Sequence, residues 1–490
     1  MDKRILQLLD EDNDDCVDDP DFSCSSKSDD SSASNTSDSD DSDQDNNEVS
    51  YVGDSTDNVV LWSKVDAMFR PLKTMPNMVI PAVLAKLDRS ASELDVFEKI
   101  FSPSLFIFIS QCTNQRLKLI KKTTVRSTDP GEIRLVLGVM LVMCYSRVPS
   151  FSDYWSHITS MGNVAIKRAI YRDRCKVLLS TLYFNFPDKP DTADKLYYLE
   201  PIDACLKNTF QKARSENTAQ SIDESMIKFK GRSALKQYLP MKPVKRGIKI
   251  WMRSDSVTGY TYGFNIYFGN DANNMDGTLG ERVVLQLSKT IRDTNVMLSF
   301  DIFFTSICLM DTLLFAAVDT CMANRKNVPK STKKLARGEC EFLCNSSGTL
   351  WCKWQDTEEV MLVSNCRSND VCTVNKKAKD ESKLVAECPV ALKTYNDLMG
   401  GVDLADQMSK LYDLDRKSDK GWKKAFYKLL LTSAVNAWIL KKKIQHKTVQ
   451  LKHFLVNLTE QMIAKGQKTA KVQWKSSTGR PSKRARVNVF

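Results

Sequence analysis

The hydrophobic pattern of this chain changes character at Gln220, and that change limits what it can fold into. From Leu94 to Ala219 apolar residues recur at helical spacing; beyond Gln220 they alternate or run in short blocks. Leu94 to Cys112 follows a DRSASE start signal, and Pro103 opens a second turn of structure within it. Thr128, Asp129 and Pro130 introduce GEIRLVLGVMLVMCYS, apolar nearly all round and therefore a buried helix. After Val148, Pro149 and Ser150, the stretch FSDYWS begins another helix. Ala165 to Phe184 reads as an amphipathic helix with Lys167, Arg168, Arg172, Arg174 and Lys176 on its basic face, which suits phosphates or simply solvent.

Past Gln220, strands are expected over Ser221–Phe229, Gly247–Ser254 and Thr261–Phe268, the last two joined as a hairpin by SVTG. Glu281–Ser288 reads as helix, Asn295–Phe304 as a buried strand and Ile307–Val318 as helix again, an order that indicates an α/β core. Periodicity weakens from Asn327 to Pro389, where Glu341–Trp354 and Val360–Cys366 read as antiparallel strands of an inserted subdomain. Trp422–Ile439 and Leu451–Ile463 return to amphipathic helix.

Charge is divided unevenly along the 490 residues. Residues 1–58 hold 19 acidic and 3 basic side chains and centre on DDSSASNTSDSDDSDQDNN, too polar to offset ordering entropy and so expected to be disordered. The rest carries 68 Lys and Arg against 41 Asp and Glu, a balance that fits a polyanionic partner. Lys441–Phe490 holds 13 basic residues and 1 acidic one, and its end, GRPSKRARV, reads as an unstructured tail suited to nuclear import or a minor groove.

No apolar stretch follows MDKRILQLLDEDNDD, so no secretory signal is read there. The most apolar run, Ile133–Cys144, is too short to cross a membrane. The 14 cysteines form no CxxC pair and read as reduced core residues, and with three histidines no zinc site is expected.

Three acids stand where an isolated carboxylate would be costly. Asp301 lies inside VMLSFDIFFTS, Asp223 opens the alternation of SIDESMIKFKGR, and Asp403 follows the two glycines of GGVDLADQ. Asp406 comes three residues after Asp403, so a helix starting there would put both on one face. Alone, that stretch reads first as a helix start capped by Asp403. Together the acids suit phosphodiester chemistry, in which paired divalent ions activate a water or hydroxyl and stabilise the leaving oxygen. The residues after Asp223 suit the same substrate. Lys228, Lys230, Arg232, Lys236, Lys242, Lys245, Arg246 and Lys249 are interleaved with Phe229, Tyr238 and Trp251, a pattern that tracks a phosphate backbone or blunts a sheet edge.

The blocks SIDESMIKFKGRSALKQYLPMKPVKRGIKIW, SFDIFFTS and GGVDLADQM resemble, in that order, the catalytic blocks of piggyBac-like transposases, and most closely the piggyBac transposable element-derived proteins. DVFEKIFSP, GEIRLVLGVMLVM, PSFSDYWS and RDRCKVLLSTLYFNF are similar to family segments too, so the likeness runs from about Leu94 to Ile463. The resemblance implies an α/β, RNase H-like catalytic core over residues 220–327 and 390–412, a β-rich insertion over 328–389, and a helical dimerisation and DNA-binding unit over 59–219 and 413–465. Residues 1–58 and 466–490 would be tails. It also implies two Mg²⁺ ions, with Mn²⁺ as a substitute, held by Asp223, Asp301 and Asp403, with Asp406 as a fourth acid. Partners would be double-stranded DNA with transposon ends at TTAA and a second copy of the chain, in the nucleus.

This sequence departs from the family pattern in ways that bear on function. Ile302 follows Asp301 where a polar residue is frequent, and the acidic leader is longer than catalysis requires. The region after Ile463 has no cysteine, whereas many members carry a cysteine-rich zinc-binding domain there that recognises the transposon end. A transposase with an intact acid set is therefore one expectation, and a nuclear DNA-binding protein that no longer transposes is the other.

Overall fold

The computed structural model describes residues 60–120, 125–158, 160–233, 235–239, 244–269, 277–291, 295–377, 383–414, 418 and 420–472. The acidic leader and most of the basic tail lie outside them. The helices start where local chemistry supplies caps. Ser92 and Asp95 form a capping box ahead of α1 (Glu93–Ile100), and Ser102 with Pro103 begins α2 (Pro103–Leu119). Asp129 caps α3 (Pro130–Tyr145), whose residues Gly131–Cys144 are all buried. Then come α4 (Val164–Ala169), α5 (Arg172–Thr181) and α6 (Glu200–Ala213).

The strand-rich half begins with β2 (Ala219–Lys228), β3 (Lys236–Tyr238), β4 (Arg246–Asp255) and β5 (Thr261–Ile266), β1 (Trp62–Lys64) having come far earlier. Next are α7 (Leu279–Ser288), β6 (Met297–Phe300), α8 (Ile307–Thr312) and β7 (Ala316–Thr320). Strands β8 (Cys340–Asn345), β9 (Leu350–Gln355) and β10 (Glu359–Ser364) form a meander, and β11 (Val371–Lys377) pairs only with β12 (Lys383–Pro389) among the described residues. The last described elements are α9 (Val390–Leu398), α10 (Gly401–Lys410), α11 (Gly421–Gln445) and α12 (Leu451–Thr469).

One ten-stranded mixed sheet runs β1-β8-β9-β10-β7-β6-β2-β4-β3, with β5 also paired to β4. Its centre, β2-β6-β7, is parallel, and the flanks are antiparallel. Alternation sends Leu298 and Phe300 to the face covered by α7 and α8, and Met297 to the face covered by α9. Beside this sheet, α3 packs along α12, and Phe426 of α11 stacks on Phe184 with ring centroids 3.8 Å apart. The first and last helices thus share one core, into which Ile227, Ile250 and Val402 also project.

Several sequence expectations change. The stretch expected as one helix to Val318 ends at Thr312, and β7 follows, because a short apolar run has no period to separate strand from helix. The expected basic helix is two helices that break at Ile170, whose backbone is extended. Its Arg174 is buried against Glu132 at 2.6 Å rather than displayed to phosphates. FSDYWS forms only a single 3₁₀ turn, Ser152–Trp155. The residues read as an insertion are hydrogen-bonded into the main sheet through β10 and β7, and α12 continues to Thr469, past the expected start of the tail. No described helix is long and apolar enough to cross a membrane.

Candidate active site

Asp223 and Asp301 are brought together by strand register. In the parallel pair β2–β6, Ile222 is opposite Phe300, so the next residue on each strand is an aspartate. Both line one open cleft of about 830 Å³ at the end of β6, together with Glu224, Lys249, Arg325 and Lys326. Each carboxylate accepts the N–H of the following residue, Glu224 at 2.6 Å and Ile302 at 2.7 Å. Beyond Asp301 the chain turns, with Phe304 N–H donating to the Asp301 carbonyl, and Arg325 braces the turn by donating to the Phe303 carbonyl at 2.7 Å. The hydrogen bond that Ile302 gives Asp301 is main-chain, so its apolar side chain removes no ligand.

Asp403 lies on α10, which packs along β2, and is not among the residues that line the cleft. A Cβ on Gly401 would stand 2.7 Å from Ser221 Oγ, so only glycine allows this approach, and Ser225 Oγ donates to Asp406 Oδ1 at 2.6 Å further along. Between these two contacts the strand carries Asp223 and the helix carries Asp403. Gly400 is the N-cap, which places Asp403 third in the helix and not at its cap. An acid in the first turn is favoured there by the helix dipole.

Asp403 and Asp406 do not present themselves alike. Asp403 is exposed, whereas Asp406 is 5% exposed and pairs with Lys428 at 2.7 Å and Lys410 at 3.0 Å. Burial works to raise its carboxyl, but Lys428, Ser225 and Lys410 outweigh that and hold it below the ordinary value. Residues three apart on a helix differ by about 60° in direction, enough here to separate a solvent-facing acid from a core one.

Two neighbours of the acids had no counterpart in the sequence reading. Asp319 on β7 is wholly buried, and burial pushes its carboxyl well above the usual range; bonds from Phe300 N–H and Ser299 oppose this and Asp301 adds to it. Tyr395 on α9 feels Asp301, Asp319 and Asp223, and burial foremost pushes its phenol up to about 12. A lone acid in the apolar run LLFAAVDT is the same signal that marked Asp301, and it was legible at Asp319 too.

Among the described residues, no three carboxylate, imidazole or thiol groups stand close enough to hold a metal ion together. Asp223 and Asp301 nevertheless fit one as a pair, since magnesium takes one or two carboxylates and keeps water and substrate phosphate in its remaining positions.

The expected phosphate-binding residues divide by exposure. Lys230, Arg232, Lys245 and Arg246 are exposed near the β3 edge, where Arg246 lies 5.2 Å from the ring centroid of exposed Tyr238. Lys236 instead donates to the Gly231 carbonyl at 2.9 Å. Lys249 pairs with Glu224 at 3.1 Å on the cleft wall, and Lys242 lies outside the described residues.

This architecture has known relatives. The Transposase IS4 family profile matches residues 92–438. Human piggyBac transposable element-derived protein 3 is 28% identical over 339 residues, which cover 66% of this chain and 57% of that protein. Human piggyBac transposable element-derived protein 2 is 26% identical over 366 residues, 71% of this chain and 61% of that protein. The chain thus spans less than two thirds of the length of either relative. The cryo-EM structure of a piggyBac transposase synaptic complex with hairpin DNA superposes with a TM-score of 0.68 at 24% identity, covering 78% of this chain and 82% of that one. As that family profile covers well over half of the chain, the chain belongs to the piggyBac-type transposase family.

Proposed function

We propose that this chain is a piggyBac-type DNA transposase, or a domesticated descendant of one, that binds double-stranded DNA in the nucleus and cuts and rejoins it at TTAA-flanked ends. The observation that carries this reading is the matched register of Asp223 and Asp301 on adjacent parallel strands, opening into a cleft edged by Lys249, Arg325 and Lys326. Asp223 and Asp301 would hold Mg²⁺ or Mn²⁺, and Asp403 would complete the set from α10. Bound there, the ion would make water or a 3′-hydroxyl nucleophilic and stabilise the departing oxygen.

The protein's own groups do the rest. Main-chain N–H groups from Glu224 and Ile302 fix the two carboxylates before DNA arrives, so no reorientation is needed at the moment of reaction. Arg325 holds the turn after Asp301 and adds positive charge to the wall that a phosphate would approach. The exposed cations beside Tyr238 would track flanking backbone, with the ring available for stacking. Asp406 serves this site from behind, by tying α10 to β2 and α11. A homodimer, as befits an enzyme acting on two ends, belongs to the same proposal.

A second reading, a DNA-binding protein without strand-cleavage activity, is favoured by the absence among the described residues of any three acids grouped for a metal. Supercoiled plasmid incubated with purified protein and Mg²⁺ or Mn²⁺ separates the two. The transposase reading expects nicked circles from the wild type and at least a hundredfold fewer from Asp301→Ala; equal nicking by both refutes it. Retention of plasmid without nicking under either ion supports the second reading.

A further inference from the structure

The parallel ladder between β6 and β7 stops three residues short of Asp301. Met297 pairs with Ala316 and Leu298 with Ala317, and there the pairing ends, while on its other side β6 continues to match β2 as far as Ile222–Phe300. At the opening, side chains of both strands replace the missing rungs. Ser299 Oγ donates to the Val318 carbonyl at 2.7 Å and also lies 3.3 Å from Asp319 Oδ1. Phe300 N–H donates to the same Asp319 oxygen.

Asp319 is an unusual choice for that post. It is 0% exposed on a central strand, and its other oxygen, Oδ2, is buried with no hydrogen-bond partner. A buried carboxyl with an orphaned oxygen costs stability, and an apolar residue would pack there without that cost. What the carboxyl supplies is an acceptor for the last N–H before Asp301, at the point where the backbone leaves the sheet and turns.

We propose that Asp319 is a positioning residue of the cleft, holding the Ser299–Phe300 peptide so that Asp301, the next residue, enters at the level of Asp223. The inference rests on the transposase reading, because it gives Asp301 a ligand to meet. Asp319 itself touches neither DNA nor ion.

The test is Mn²⁺ binding to the full chain, followed by the electron paramagnetic resonance of the free ion, with circular dichroism confirming folded protein. Asp319→Ala removes the acceptor, and the apparent Kd for Mn²⁺ should rise at least tenfold. Asp319→Asn keeps an oxygen for Phe300 N–H and should stay within threefold of wild type. If Asp319→Ala does not fold, Asp319→Val, apolar and at home in a central strand, takes its place with the same expectation. Wild-type affinity in the folded Ala or Val variant overturns the inference, as does an Asn variant no better than either. Mn²⁺ bound by none of the proteins, wild type included, overturns the transposase reading and this inference with it.

Discussion

Asp406 shows how a motif acid can matter without meeting a substrate. Its carboxylate is shared among Lys428, Lys410 and Ser225, and Lys428 also donates to Ser409 Oγ at 2.6 Å. Asp406→Asn would leave Lys428 in a largely buried place without its counter-charge, at a cost of about 3–5 kcal/mol. Urea unfolding at pH 7 should show that loss. The folded carboxyl is held below its ordinary 3.8, so its contribution is present above that value and disappears as pH falls through the depressed one. The gap between wild type and Asp406→Asn should therefore begin to narrow below about pH 4 and close as pH falls through the depressed value, and a gap that is constant with pH would mean the pair contributes no charge interaction. The sequence made this acid visible but not its direction, because spacing of i,i+3 leaves a turn of about 60° that only packing against β2 and α11 decides.

Elements carry the site as much as residues do, and here the sequence was readable in proportion to the strength of its periods. Helix α3 and the β4–β5 hairpin follow from an unbroken apolar pattern and from SVTG between alternating strands. Strand β7 did not, because LLFAAV is equally a buried helix turn, and losing it also hid the parallel neighbour of β6. Strand β1 was missed for a different reason: its three residues become a strand only by pairing with Leu343–Asn345, about 280 positions away. The contact of α10 on β2 was likewise invisible, although its requirement is written in Gly401. A methyl there would press on Ser221 Oγ at 2.7 Å and on two carbonyls at 3.0 Å. Gly401→Ala should cost about 1–3 kcal/mol in chemical denaturation. It should also reduce nicking more than binding of plasmid, since it moves α10 while leaving the exposed cations near β3 in place. Equal losses of nicking and binding would show that α10 does not set the geometry of the acids.

At the scale of the whole molecule, the chain closes on itself: helices from before and after the sheet build one core. Phe426 lies stacked on Phe184 and 6.4 Å from Phe101, Trp422 meets Tyr183 at 5.0 Å and Tyr198 at 5.3 Å, and Tyr145 hydrogen-bonds Thr459 at 2.8 Å. Gly131 and Gly466 let α3 and α12 approach so closely that a Cβ on Gly466 would stand 2.8 Å from the Gly131 carbonyl. Neither set of helices can bury its apolar face without the other, so α11 and α12 are structural partners of α1–α6 and not an appended unit. Phe426→Ala should then cost about 3–5 kcal/mol and lower the unfolding midpoint of both sets together. Hydrogen exchange reads this directly. In the variant, peptides spanning α2, α5 and α12 should lose protection in concert, while the β8–β10 meander, built on the separate core around Trp351 and Val363, changes less. Loss of protection confined to α11 would contradict a shared core. Because α10 is pinned to α11 through Asp406 and Lys428, the same loosening should reach Asp403.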